Sequence, residues 1–200
     1  MKHLKKLTHN NTLFISVVLV LIAIFSLIFC LFLYFYNNKQ DIKNATLILS
    51  YSDNSSDLVV DNSMPITDVV GKQLTFTPNQ TKYGYSEFTV SANFDGMKSI
   101  DYEIYAIQTG VSLELPSDYV KVYLTDGNND LPFDDYRDKI PTYHDLKVAR
   151  TNPAGKKIYS GTLKENEVKT FRLRMWLADT YPITTEIRNF KVNLYVRIMD

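Results

Sequence analysis

Three groups of residues in this sequence have the types and spacing that chemistry would need. The first is Asp126, Asn128 and Asp130, in TDGNNDLPFDD, which fill the first, third and fifth places of a calcium-loop spacing, with Asp134 and Asp135 close by. Alternating oxygen donors suit Ca²⁺. Leu131 stands where the sharp turn needs Gly, however, and Arg137 where a bidentate Glu belongs. The segment is therefore expected to be an acidic turn with solvated carboxylates. The second group is His144 beside Asp145, the arrangement of a general base held by a carboxylate. No nucleophile elbow accompanies it: Ser160-Gly161 lacks the G-x-S-x-G context. His144 is thus expected to be a surface histidine, and with a single Cys and a single His beyond the first dozen residues no ordinary zinc or iron set can form. Catalytic residues, metal and cofactor are all expected to be none.

The third group combines Arg172, Arg174 and Trp176 on one run with Lys191, Tyr195 and Arg197 on another, each at alternating positions. If the two runs are neighbouring strands, these six side chains form a basic, aromatic patch of the composition enriched at binding hot spots. Ordinary cross-strand pairing on a wet sheet face is the competing expectation. The patch is nonetheless the candidate binding site.

Position depends on Leu13 to Tyr36, about 24 residues without a charge, Gly or Pro. As a helix they would extend roughly 36 Å against a hydrocarbon core of roughly 30 Å. A lone apolar segment in lipid is stable only as a helix, and Tyr34, Phe35 and Tyr36 fall where amphipathic rings prefer the membrane boundary. Lys2, Lys5 and Lys6 precede the span while Lys39 and Lys43 follow it, so the positive-inside rule places the N-terminus in the cytoplasm and the bulk of the chain outside the cell membrane. Nothing resembles the short apolar core and small-residue cleavage site of a secretory signal, so the span is expected to stay as a signal anchor. The resulting layout is 1–12 cytoplasmic tail, 13–36 transmembrane helix, 37–44 tether and 45–200 extracytoplasmic domain. Ser16, Ala23 and Cys30 recur every seven residues with Ser26 beside them, a small-residue seam that suggests weak homo-oligomerisation.

From Asn44 onward 17 Lys and Arg face 21 Asp and Glu, a mildly acidic balance with no footprint for nucleic acid. The only cysteine, Cys30, lies inside the span, so the domain has no disulfide and must be stabilised by packing. That is easier to reconcile with a bacterial envelope than with a eukaryotic secretory route.

The domain itself reads as strands. ATLILSY at 45–51 is rich in β-formers, followed by a polar interval at 52–63. Ile66 to Val70 and Lys72 to Thr77 read as two short strands around Gly71. Phe88, Val90, Ala92 and Phe94 alternate with polar residues, as do Ile100, Tyr102, Ile104 and Ala106, and Asp95-Gly96 between them suggests a hairpin. Val120, Val122 and Leu124 point inward, then a long loop from Asp126 to Lys157 includes a helical turn near Asp134 to Lys139. Ile158 to Leu163, Val168 to Leu177 and Phe190 to Ile198 complete the set. About eight or nine strands with one wet face each predict an all-β, antiparallel β-sandwich, Ig-like or jelly-roll-like, behind one N-terminal transmembrane helix.

This layout resembles that of small signal-anchored β-sandwich surface proteins of Gram-positive bacteria and, more loosely, biofilm-fibre subunits. No motif carries a function across. The expected function is a non-enzymatic, single-pass cell-envelope protein that meets the bilayer through 13–36 and binds a protein partner in or near that membrane. A fibre or pilus-like surface subunit, released from its anchor and donating ATLILSY between protomers, is the alternative, and an envelope hydrolase a third.

Overall fold

In a computed structural model, the structure describes residues 17–33, 45–52, 57–61, 64–75, 84–94, 98–110, 113–149, 154–182, 184 and 186–199. The chain divides into two compact units, Met1–Asn44 and Ala45–Asp200. In the first, helix α1 covers 17–33 and consists of exposed residues. No helix among the described residues is long and apolar enough to cross a membrane. The ends of the Leu13 to Tyr36 stretch, Ser16 of the small-residue seam and the basic residues on both flanks lie outside the described residues.

The second unit is an all-β sandwich, with nine strands among the described residues: β1 Thr46–Tyr51, β2 Asp57–Asp61, β3 Gly84–Asn93, β4 Ser99–Gln108, β5 Val120–Asp126, β6 Val148–Ala149, β7 Gly155–Lys164, β8 Val168–Leu177 and β9 Asn189–Ile198. One sheet has the order β1-β3-β8-β5 and the other β2-β9-β4-β7-β6, all antiparallel. Alternation decides the inner faces. Phe88, Val90, Phe171, Leu173, Val122 and Leu124 of the first sheet meet Tyr102, Ile104, Ile158, Leu163, Phe190 and Val192 of the second in one core. Each large side chain so buried contributes roughly 1.5–3 kcal/mol. Phe88 and Phe171 stack across adjacent strands with centroids 5.4 Å apart.

Three local expectations change. The Asp95-Gly96 segment does not join a hairpin, because β3 and β4 belong to opposite sheets. Period-two alternation reports which face is buried, not which strand is the neighbour. Indeed every connection but β6 to β7 crosses between the sheets. Strand β2 sits within the interval expected to be polar, where Leu58 and Val60 are buried against β9. Around Gly71 there are no strands but one helical turn, α2 Asp68–Gly71. Its Ile66 N–H donates to the Leu177 carbonyl at 3.0 Å, which lays the segment across the outside of the first sheet.

The connection after β5 is better ordered than a bare loop. It includes the helical turn α3 Asp134–Arg137 and the two-residue β6, and it seals one side of the sandwich with tyrosines. The Tyr136 hydroxyl donates to the Ile158 carbonyl at 2.7 Å, and Tyr143 donates to the Ala106 carbonyl at 3.0 Å. Burial pushes the Tyr143 hydroxyl up to about 12, so it remains a donor throughout the physiological range.

Gly71 meets the Trp176 ring directly: a Cβ there would sit against Cε2 and Cδ2 of a side chain that is packed in on all sides and has little room to give way. Gly71→Val should therefore cost about 1–3 kcal/mol in urea unfolding of the whole chain. Gly110→Ala, where a Cβ meets nothing within 4 Å, should be close to neutral.

Candidate functional site

The six residues of the expected basic, aromatic patch do not come together. Strand β8 pairs with β3 and β5, whereas β9 pairs with β2 and β4, so Arg172, Arg174 and Trp176 lie in one sheet and Lys191, Tyr195 and Arg197 in the other. Two of them are not on a wet face at all. Arg174 and Trp176 are each 2% exposed despite pointing away from the core.

Their cover is the 66–74 segment. Trp176 lies against Gly71 and edge-on to Tyr123, at 6.4 Å between centroids. All three nitrogens of the Arg174 guanidinium are engaged: Nε donates to the Leu74 carbonyl at 2.7 Å, Nη1 to the Thr125 hydroxyl at 2.9 Å, and Nη2 to both Asp130 carboxylate oxygens at 3.0 and 3.1 Å. Thr125 donates in turn to Asp130 at 2.6 Å. Next along the strand, Arg172 Nε donates to Glu87 at 2.7 Å, and Tyr85 donates to the same carboxylate oxygen at 3.3 Å. The basic side chains of β8 are thus matched by carboxylates and hold three segments to one sheet face. That is a structural network.

Asp130 explains why the calcium-loop spacing does not behave as a loop of free carboxylates. It sits at φ 58, in the left-handed region an Asp tolerates, and turns inward to Arg174. Asp126 spends one oxygen on the Asn128 N–H at 2.7 Å, so the turn is an Asx turn. Among the described residues no group of three or more His, Cys, Asp or Glu is placed to hold a metal. His144 does not use Asp145: its Nδ1 lies 3.5 Å from Asp118, both side chains being 63% exposed, while Asp145 accepts the Thr142 N–H.

On the second sheet, Arg197 Nε donates to Glu103 at 2.9 Å, Tyr195 stacks on Tyr105 at 5.5 Å, and Lys191 lies further along the same strand, half-buried. Cross-strand pairing accounts for these contacts.

A different surface stands out, the edges of the two sheets. A strand edge presents unpaired N–H and C=O groups and is usually protected. Strand β5 is covered by its own following loop: Val122 N–H donates to the Pro141 carbonyl and Tyr143 N–H to the Val120 carbonyl, at 3.0 and 2.7 Å. Strand β6 is only two residues long, and β2 begins and ends on an Asp. Strand β1, TLILSY, has neither charge nor proline and is six residues long.

Its open side follows from register. Tyr51 faces Phe88, and Ser52 N–H donates to the Glu87 carbonyl at 3.0 Å, so Ser52 and Glu87 form a hydrogen-bonded pair. Antiparallel pairs alternate, so Ser50, Ile48 and Thr46 also bond inward to β3. The N–H and C=O groups of Leu47 and Leu49 then point off the sheet, with no bonding partner among the described residues. Their side chains pack against the core, while Ile48 on the opposite face is 48% exposed. Nothing in TLILSY marked it as an edge, because edge or centre is decided by strand order. Comparisons with protein-family models, characterised proteins and solved structures find no match to this chain.

Burial pushes the Asp130 carboxyl up, but its hydrogen bond from Thr125 and the neighbouring Arg174 and Arg172 outweigh this and hold it below the ordinary carboxylate range. A depressed carboxylate stabilises the fold above the unfolded value and loses that contribution as pH falls through the folded one. Asp130 is partly exposed and solvent screens its charge, so Asp130→Asn should destabilise the chain by only about 1 kcal/mol at neutral pH. In urea unfolding at successive pH values, the gap between wild type and variant should close below about pH 4.

Proposed function

We propose that this chain is a non-enzymatic, single-pass membrane-anchored protein of the cell envelope, whose β-sandwich faces outward and binds a protein partner by strand addition at β1. The observation that carries the reading is the contrast among the sheet edges: β5 covered, β6 minimal, β2 flanked by Asp, and β1 without a bonding partner on its outer side among the described residues. Main-chain bonds to an added strand supply affinity, and alternate side chains supply register. The anchor rests on the Leu13 to Tyr36 sequence and its basic flank. With only a short tether at 37–44, the sandwich would meet partners in or on the same membrane.

Strand addition is favoured over donation of β1 between protomers. All six residues of β1 are paired with β3, so donation must strip a formed ladder that addition leaves in place. We also read the strand order as nearer a jelly roll than an immunoglobulin sandwich. The latter has several sequence-adjacent strands side by side in a sheet, whereas here only β6 and β7 are so placed.

The anchor is tested by alkaline extraction of membranes and by protease added to intact cells. The full chain should stay in the pellet, and its sandwich should be digested from outside; release into the supernatant would remove the anchor. For the edge, a photo-crosslinker at Ser50 should give a discrete adduct that one at Val148, on the far edge, does not. Leu49→Pro removes an outward N–H and spares the inward ladder, so it should abolish the adduct. Equal yields from both positions would overturn the edge reading.

A further inference from the structure

A cleft of about 280 Å³ opens at one end of the sandwich, away from β1, between the turn after β5, strand β7 and the start of β8. Its lining includes two aromatic rings, Phe133 and Tyr159, with centroids 4.5 Å apart. Both are half-buried, and both are backed by Phe171, at 5.5 and 5.2 Å. They are therefore held rigidly, with some surface left to the cleft. Gly161 makes room for this arrangement: a Cβ there would meet the Tyr159 ring and hydroxyl at 2.7 Å.

Polar groups border the rings. Asp126 and Glu167 line the cleft with Asn128 and Lys169. One oxygen of each carboxylate is fixed, on the Asn128 N–H at 2.7 Å and on the Lys164 N–H at 2.8 Å. The Lys169 ammonium is already bound to the Thr162 carbonyl at 2.8 Å, with Glu167 at 3.8 Å. Close by, the Tyr102 hydroxyl is wholly buried and has no hydrogen-bond partner among the described residues. Its ring lies 6.0 Å from that of Tyr159, and its electrostatic neighbours are Tyr159 and Glu167, both on the cleft wall. Tyr102 itself is not among the residues that line the cleft, so it backs the Tyr159 wall and offers no contact to a ligand. Burial, then Asp126, Glu167 and Asp134, pushes the Tyr159 hydroxyl up, so that it too remains a donor.

We infer that this cleft is a subsite for one neutral sugar ring, free or as a unit of a glycan, packed against the tilted rings of Phe133 and Tyr159 and hydrogen-bonded by Asp126, Asn128 and Glu167. The chemistry selects this class. Aromatic faces suit the apolar C–H face of a pyranose, while carboxylate and amide oxygens at the rim accept from its hydroxyls. An anionic ligand is disfavoured, because two carboxylates line the cleft and its one ammonium is engaged.

The test is NMR titration of the full chain in lipid nanodiscs, which avoids sugar-headed detergents, with N-acetylglucosamine and its tetramer. Ring protons of Phe133 and Tyr159 should shift saturably. Asn128→Ala and Glu167→Gln should each weaken binding about threefold to tenfold, while Glu165→Gln, in the same turn but outside the cleft, leaves it unchanged. Tighter binding of the tetramer would assign the site to a glycan, and equal binding to a free sugar; either supports the subsite. Three results would overturn it: no saturable shift with either sugar, shifts indifferent to both variants, or lysine amide binding in preference to sugar.

Discussion

The second half of strand β8, Leu173 to Leu177, is buried on both faces, and much of the domain depends on how its outer face is closed. Inward, Phe171, Leu173, Met175 and Leu177 complete the core. Outward, Trp176 and Arg174 would leave a large ring and a charge in contact with little water. A buried guanidinium is tolerable when its donors are largely met and its charge is opposed. Leu74, Thr125 and Asp130 do this together, and they come from two parts of the chain, the 66–74 segment and the end of β5 with its turn. The 66–74 segment is therefore held to the sheet by Arg174 at one end, by Trp176 against Gly71, and by Ile66 against Leu177 at the other end.

This arrangement also divides the surface into closed and open parts. The outer face of the first sheet, where a basic patch was expected, is occupied by its own ion pairs. The side beyond β5 is sealed by the tyrosines of the 131–146 segment, Tyr136 and Tyr143, whose hydroxyls satisfy the buried Ile158 and Ala106 carbonyls. Among the described residues, the β1 edge and the cleft beside Tyr159 stay open. They differ in kind, since one offers main-chain hydrogen bonds and the other an aromatic floor with a polar rim. They also lie on opposite sides of the first sheet's order, β1 at one end and the turn after β5 at the other.

The sequence by itself determined the strands with clean alternation and their inner faces. Phe88 to Phe94, Ile100 to Ala106, Phe171 to Leu177 and Phe190 to Leu194 all bury the residues their period of two selects. That information is local, because a pleated chain turns successive side chains to opposite faces whatever its neighbours are. The same locality explains the errors. Strand β2 is short and sits among polar residues, so its burial comes from β9, more than a hundred residues later. The Ile66 to Val70 run has strand-forming residues, yet its backbone turns where Trp176 requires close approach at Gly71. Only the tertiary structure decided that β3 and β4 part company, that Arg174 and Trp176 are enclosed, that β1 is an edge, and that Phe133 and Tyr159 share a cleft. Each of these depends on which strands lie side by side, and that is settled by packing two faces together over long sequence separations, not by any pattern within one strand.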